Sequence, residues 1–328
     1  MRRRRAGIVG LSVSLVVLAF AGWLVLNRQY AVDQVSVWVY KPSAAVAAID
    51  QRLSLTEKGK FYFHTTQPAV DAAAQFNESC PQQEAGSAIL GCYTTGRIHI
   101  YDVPNEQLDG IEDVTAAHEM LHAAWERLDT AERDRIGKLL VAQYETLNDP
   151  DLKERIDYYQ RNEPGQLINE LHSIIGTEQQ QLSPELENYY ARYFVHRAGV
   201  YELYSSYATV FKDLKTRSEA LYAELTSLEK QISGASDAYE NESKQFTTDI
   251  TSFNQRARSG GFSSSSQYNA ERRALLARQN QLEADRLALN AMIDTYNTKF
   301  NEYQTLAFQS EQLNRSIDST VAPAPTVE

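Results

Sequence analysis

The amino-acid sequence predicts an α+β domain with a mostly helical second half. An N-terminal transmembrane helix precedes it and a long antiparallel coiled-coil hairpin follows it. Three observations predict this layout: an uncharged run of about twenty residues near the start, short alternating runs that give way to helical periodicity after Ile111, and leucines and aromatics recurring at heptad spacing from Leu214 onward.

Residues 1–5, "MRRRR", are a basic segment, and residues 6–27 contain "AGIVGLSVSLVVLAFAGWLVL", long enough for a helix to cross the hydrocarbon core. The four arginines ahead of the run, against only Arg28 soon after it, predict a cytoplasmic N-terminus and a body outside the cytoplasm, held by a single-pass plasma-membrane anchor. Ala19-Phe20-Ala21 also offers a signal-peptidase site, but the apolar run continues beyond it. Cys80 and Cys92 are the only cysteines, and in an oxidising compartment they are expected to form a disulfide. The net charge is −11, and without the four leading arginines it falls to about −15. No basic stripe with interleaved aromatics is present, which excludes nucleic acid as the expected partner.

Residues 30–200 form the expected folded domain. "VSVWVY" (Val35 to Tyr40) and "KFYFH" (Lys60 to His64) read as strands. "SAAVAAIDQRL", begun by Ser43, and "QPAVDAAAQF", begun by Pro68, read as helices. "CYTTGRIHIYDV" predicts a hairpin turning at Thr-Thr-Gly, with Ile98 and Ile100 on one face and Arg97, His99 and Tyr101 on the other. Later helices begin at Asp129, with Glu132 completing a capping box, and at Ser183, with Pro184 in the first turn. "GQLINELHSIIGTE" (Gly165 to Glu178) is helical in character as well.

Residues 201–318 carry the heptads. Leu214, Leu221, Leu228, Ile232, Tyr239, Phe246 and Phe253 precede a break near 258–267, "RSGGFSSSS"; Leu275, Leu282, Leu289, Tyr296 and Tyr303 follow it, with Ile293, Phe300 and Leu306 as partners. The glycine and serine break predicts two arms folded back on each other, and a protein partner is the expected ligand of the arm. Residues 319–328 read as a disordered tail.

"TAAHEMLHAAW" (Thr115 to Trp125) carries the chemistry. Residues four apart share a helix face, so His118 and His122 can direct imidazole nitrogens at one metal ion, with Glu119 turned toward water as a general base. Glu119 is the only charged residue from Thr115 to Ala124, so the helix can be buried behind such a site. A glycine and a third histidine extend the H-E-x-x-H pattern in metzincins; Trp125 and Leu128 stand in those places here. No G-x-S-x-G, P-loop or G-x-G-x-x-G competes with the motif. The third ligand is open among Glu170, Glu178, Glu163 and His172 on the residues alone.

"INELHS" (Ile168 to Ser173) together with "TAAHEMLHAA" resembles the gluzincins, the superfamily of thermolysin-like H-E-x-x-H peptidases, over about sixteen residues. The resemblance implies a zincin-like fold, one Zn2+ ion held by His118, His122 and Glu170, and Glu119 as the acid/base that hydrolyses a protein or peptide substrate. It further implies that "RIHIYDV" is an edge strand whose Arg97, His99 and Tyr101 line the substrate groove. Tyr193 or His196, near Tyr189 and Tyr190, would then stabilise an oxyanion. One departure stands out: Ile174 occupies the place of the aspartate that orients a zinc-bound histidine in that superfamily. Asp113 or a backbone carbonyl is the expected substitute. The competing expectation is an extracytoplasmic coiled-coil scaffold whose zincin-like domain is inactive or binds zinc structurally.

Overall fold

A computed structural model describes residues 2–81, 89–162 and 164–320, with side chains from Ser14 onward. In chain order the elements are α1 (Arg2–Leu26), α2 (Arg28–Val39), α3 (Ala44–Leu53), α4 (Glu57–Thr65), β1 (Ala69–Asp71), α5 (Ala73–Ser79), β2 (Gly91–Thr94) and β3 (Arg97–Tyr101). A 3-10 turn, Glu106–Leu108, leads into α6 (Ile111–Glu126), α7 (Thr130–Thr146), α8 (Pro150–Asn162), α9 (Leu167–Glu178), α10 (Pro184–Tyr190), α11 (Arg197–Ser259) and α12 (Ser265–Ile317). The described residues form two compact units. One runs to Val210 and regains the chain at Leu313; the other is Phe211–Gln312. The division therefore falls inside α11 rather than at residue 200.

In the first unit, the three-stranded sheet has the order β1-β3-β2, with β3 parallel to β1 and antiparallel to β2. The hairpin expected from "CYTTGRIHIYDV" is present. Thr95 (φ 50°) and Gly96 (φ 76°) both adopt the left-handed conformation that a tight two-residue turn needs. Ile98 and Ile100 point to the core as alternation predicts, and above them lies α6 with Ala116, Ala117, Met120 and Leu121 fully buried. Helix α9 adds Leu171, Ile174 and Ile175, and α10 adds Tyr189 and Tyr190. The caps read from the sequence form. Ser43, Asp129 and Ser183 accept hydrogen bonds from the backbone N–H groups of Val46, Glu132 and Leu186. Glu132 does not complete the capping box, because its carboxylate is paired with Arg192.

Several expected elements are corrected. "VSVWVY" is not a strand but the second half of helix α2. Its inward positions, Asp33, Val37 and Tyr40, are spaced by four and three. Buried Asp33 accepts hydrogen bonds from Arg127 (2.7 and 2.9 Å), a tertiary ion pair that overrides the β-propensity of the valines. "KFYFH" lies in helix α4, which Thr56 caps by accepting from the Gly59 N–H (3.0 Å). Gly59 rests on the Tyr193 backbone so closely that a Cβ would lie 2.2 Å from the Tyr193 carbonyl oxygen. "QPAVDAAAQF" divides into β1 and α5, because Val70 pairs with Ile100 before the helix begins. β3 is central, not an edge; the edge strands are β1 and β2.

At the N-terminus, α1 covers the expected anchor, of which residues 6–13 have side chains outside the described set. Among the described residues no single helix is long and apolar enough to cross a membrane. Ser14–Leu26 and Arg28–Val39 pass that test only together, and they are bent by 87°. At the other end, the tail is ordered through Thr320, since Ser319 is buried and bonded to Asn77 (2.7 Å). Residues 321–328 lie outside the described set.

The second unit is the expected antiparallel hairpin. Arg278 reaches Glu242 and Asp249, and Lys299 reaches Glu224 (2.5 Å), pairings that only a folded-back arrangement allows. Leu221, Leu225, Phe253, Leu282 and Leu306 form its buried seam. Phe253 closes against Phe262 and Tyr268 beside the break. Ile293 and Phe300, expected as seam partners, are exposed instead.

The Asp33–Arg127 pair gives a direct test of how α2 is held. Its side chains are only 6% and 8% exposed, so Asp33→Ala strands a buried guanidinium, and denaturant unfolding should show a loss of about 3–5 kcal/mol. A loss below about 1 kcal/mol would contradict the packing described.

Candidate metal centre

Helix α6 opens with acidic Glu112 and Asp113 in its first turn, where the helix dipole favours them. Glu112 also accepts a hydrogen bond from the Val103 N–H (3.0 Å). Five residues after Asp113, the helix presents His118 and, one turn later, His122 along one edge, with ring centroids 4.8 Å apart. Helix α9 packs against α6 and brings Glu170 opposite them. Its approach is close at Gly176, where a Cβ would lie 2.6 Å from Leu121 Cδ1 and 2.7 Å from Tyr190 Cε1.

Glu170 Oε2 lies 3.5 Å from His118 Nε2, and Glu170 Oε1 lies 3.5 Å from His122 Nε2. One ligand atom from each of the three residues falls within 4.8 Å of the others. Two ligands sharing a tetrahedral zinc through bonds of about 2.0–2.1 Å stand roughly 3.3 Å apart, so the spacing fits that ion. The two-imidazole, one-carboxylate donor set suits zinc as well. Burial opposes ionisation of Glu170, but the neighbouring imidazoles and a hydrogen bond from Tyr159 outweigh it and hold its carboxyl below the usual glutamate range.

The other face of the His122 ring is fixed from α9. His122 Nδ1 lies 3.0 Å from Asn169 Oδ1 and 3.2 Å from Ser173 Oγ, leaving Nε2 for the cleft. This replaces the expectation for Asp113, which lies beside Arg52 (3.4 Å) and is not a partner of either metal-facing histidine. The substitute for the aspartate missing at Ile174 therefore lies within "NELHS" itself; the first and last residues of that string carried the signal.

Glu119 is 7% exposed and faces strand β2. Gly91 makes that approach possible: a Cβ there would lie 2.5 Å from Thr115 Cγ2 and 3.0 Å from Glu119 Oε1. Burial pushes the Glu119 carboxyl up to about 7; the charge of Glu170 adds to the shift, while His122 and the Tyr93 backbone N–H oppose it.

The remaining expected residues are elsewhere. Arg97, His99 and Tyr101 lie on central strand β3. His99 Nδ1 is 2.7 Å from Asp71, Tyr101 is buried against Phe76, and none of the three lines the cleft. Tyr193 is fully buried and meets Tyr189 edge-on, His196 is exposed, and neither lines the cleft. Among the rival ligands, His172 Nε2 is bonded to Tyr189 (2.9 Å) with its pKa driven well down by burial. Glu178 is paired with Arg155 (2.5 Å), and Glu163 lies outside the described residues.

The cleft, about 770 Å³, runs between β2 and α8 with the three metal-facing residues and Glu119 in its wall. Cys80 and Cys92, joined as a disulfide with Cα atoms 5.9 Å apart, line its rim. Sequence reasoning missed Tyr158 and Tyr159, which α8 places in the cleft. This helix lies in the predicted helical half, but its polar sequence carries no motif that singles it out. Comparison with protein-family models, curated proteins and solved structures finds no match to the chain.

If Asn169 and Ser173 orient His122, then Asn169→Ala with Ser173→Ala should weaken zinc binding by about 10- to 100-fold in competition with a chelator. An unchanged affinity would remove them from the site.

Proposed function

We propose that the chain is a zinc-dependent endopeptidase of gluzincin type, anchored in the membrane with its body outside the cytoplasm. The observation that carries this reading is the meeting of His118, His122 and Glu170 from two helices around one point, with Glu119 buried beside them. A zinc ion bound there supplies Lewis acidity toward a peptide carbonyl and toward water. Glu119 takes a proton from the attacking water and returns it to the departing amine. Glu170 and the two imidazoles hold the ion. Asn169 and Ser173 keep the His122 ring turned to the cleft, and Tyr159 places a hydroxyl beside Glu170 where developing charge can be stabilised.

Strand β2 supports a polypeptide substrate. Among the described strands it pairs with β3 alone, so its other edge, apart from the Tyr93 N–H that goes to Glu119, offers backbone groups to an extended chain along the cleft. The Cys80–Cys92 disulfide supports an oxidising compartment. The hairpin Phe211–Gln312 exposes Tyr222, Leu287, Phe300 and Phe308, which favours binding of a protein partner alongside catalysis.

Replacing the general base separates chemistry from metal binding. Glu119→Gln should retain stoichiometric zinc and lose about 10²- to 10⁴-fold in peptide cleavage. The peptidase reading fails if zinc-loaded wild type cleaves no peptide in a broad panel faster than the variant does.

A further inference from the structure

Among the described residues, helix α2 is bound to the folded domain along one side and uncovered along the other. On the inner side Asp33 receives Arg127, whose guanidinium also donates to the Ala123 carbonyl of α6 (2.7 Å). On the outer side Val32, Val35, Trp38 and Val39 are 54%, 55%, 78% and 65% exposed. Between Gln29 and Val39 the only charged residue is the inward Asp33. A contiguous apolar face of this kind marks a surface that something covers.

The elbow before α2 indicates what covers it. Asn27 donates from Nδ2 to the Trp23 carbonyl (2.9 Å), and Trp23 meets Tyr30 edge-on (6.5 Å). Tyr30 in turn contacts Phe61 of α4 (6.1 Å). These contacts join the apolar helix α1 to α2 at 87°. A helix that crosses a bilayer and then turns through a right angle leaves its successor parallel to the membrane plane.

We propose that α2 lies in the membrane–water interface, its outer face set into the boundary between headgroups and acyl chains, while α1 crosses the bilayer. The proposal rests on the reading of residues 6–27 as a membrane anchor. The Asp33–Arg127 pair and the Tyr30–Phe61 contact hold α2 to the folded domain, so it does not insert as the second half of a broken span. Trp23, Tyr30 and Trp38 lie at or near the level where aromatic side chains collect on membrane proteins, and exposed Arg28 stands at the elbow within reach of lipid phosphates. Arg127 caps α6 five residues after His122, about 7.5 Å along the axis. The metal centre is thereby tied at short range to the lipid surface, and the polypeptide it meets is a segment close to the membrane.

The test uses the full chain with its disulfide intact, in vesicles of phosphatidylcholine and phosphatidylglycerol. Single spin labels are placed through Leu18→Cys, Val35→Cys, Val39→Cys and Ser227→Cys, and collisions with oxygen and with a water-soluble nickel chelate are measured. The expected result is that the labels at 35 and 39 meet the nickel chelate at least about fivefold less often than the label at 227, and meet oxygen more often. The proposal is overturned if those two labels are as open to nickel as the label at 227, or if they show spin–spin coupling from a second copy covering the face. The label at 18 reports the anchor separately: found in water, it overturns the anchor and this proposal together. Peptide cleavage does not enter the readout, so the result is independent of the peptidase reading.

Discussion

Helix α6 is pressed from two sides at positions where only glycine fits, and the candidate site depends on that constraint. Gly176 lets α9 come close enough to bring Glu170 within 3.5 Å of both metal-facing imidazoles. Gly91 lets β2 lie against Thr115 and Glu119. Either glycine enlarged by one carbon would push apart the elements that carry the candidate site, since packed interiors do not absorb a shift at one contact without moving its neighbours. The cost of the arrangement is a buried carboxylate and a buried imidazole in one cleft. They are tolerated because each finds a partner: Glu119 the Tyr93 backbone N–H, His122 the Asn169 and Ser173 side chains.

Much of this was legible in the sequence because the relevant spacings are local. The i,i+4 histidines, the caps at Ser43, Asp129 and Ser183, the glycine turn of the hairpin, the cysteine pair and the leucine seam all follow from short-range geometry, and the structure carries them. Glu170 was legible through a motif, and so were its neighbours Asn169 and Ser173, although the eye goes first to the aspartate that is missing at Ile174.

Long-range contacts decided the rest. "VSVWVY" alternates as a strand should, yet Asp33 must reach Arg127, and the helical period is what turns it inward. "KFYFH" is rich in strand formers, but the Thr56 cap and the contact between Gly59 and the Tyr193 backbone hold it as a helix. The groove residues expected on β3 were misplaced because the sequence gives no sign that β1 pairs on its far side and makes it central. Tyr159 illustrates the same limit, since its role depends on α8 folding across the cleft from β2.

The proposed centre is a mononuclear zinc site built from two imidazoles and one carboxylate. X-ray absorption at the zinc edge of the purified full chain tests it most directly. The account predicts one zinc per chain, scattering from two imidazole rings, further light-atom ligands at about 2.0–2.1 Å, and no sulfur. A substoichiometric metal, a sulfur ligand near 2.3 Å, or three or more imidazoles would contradict it.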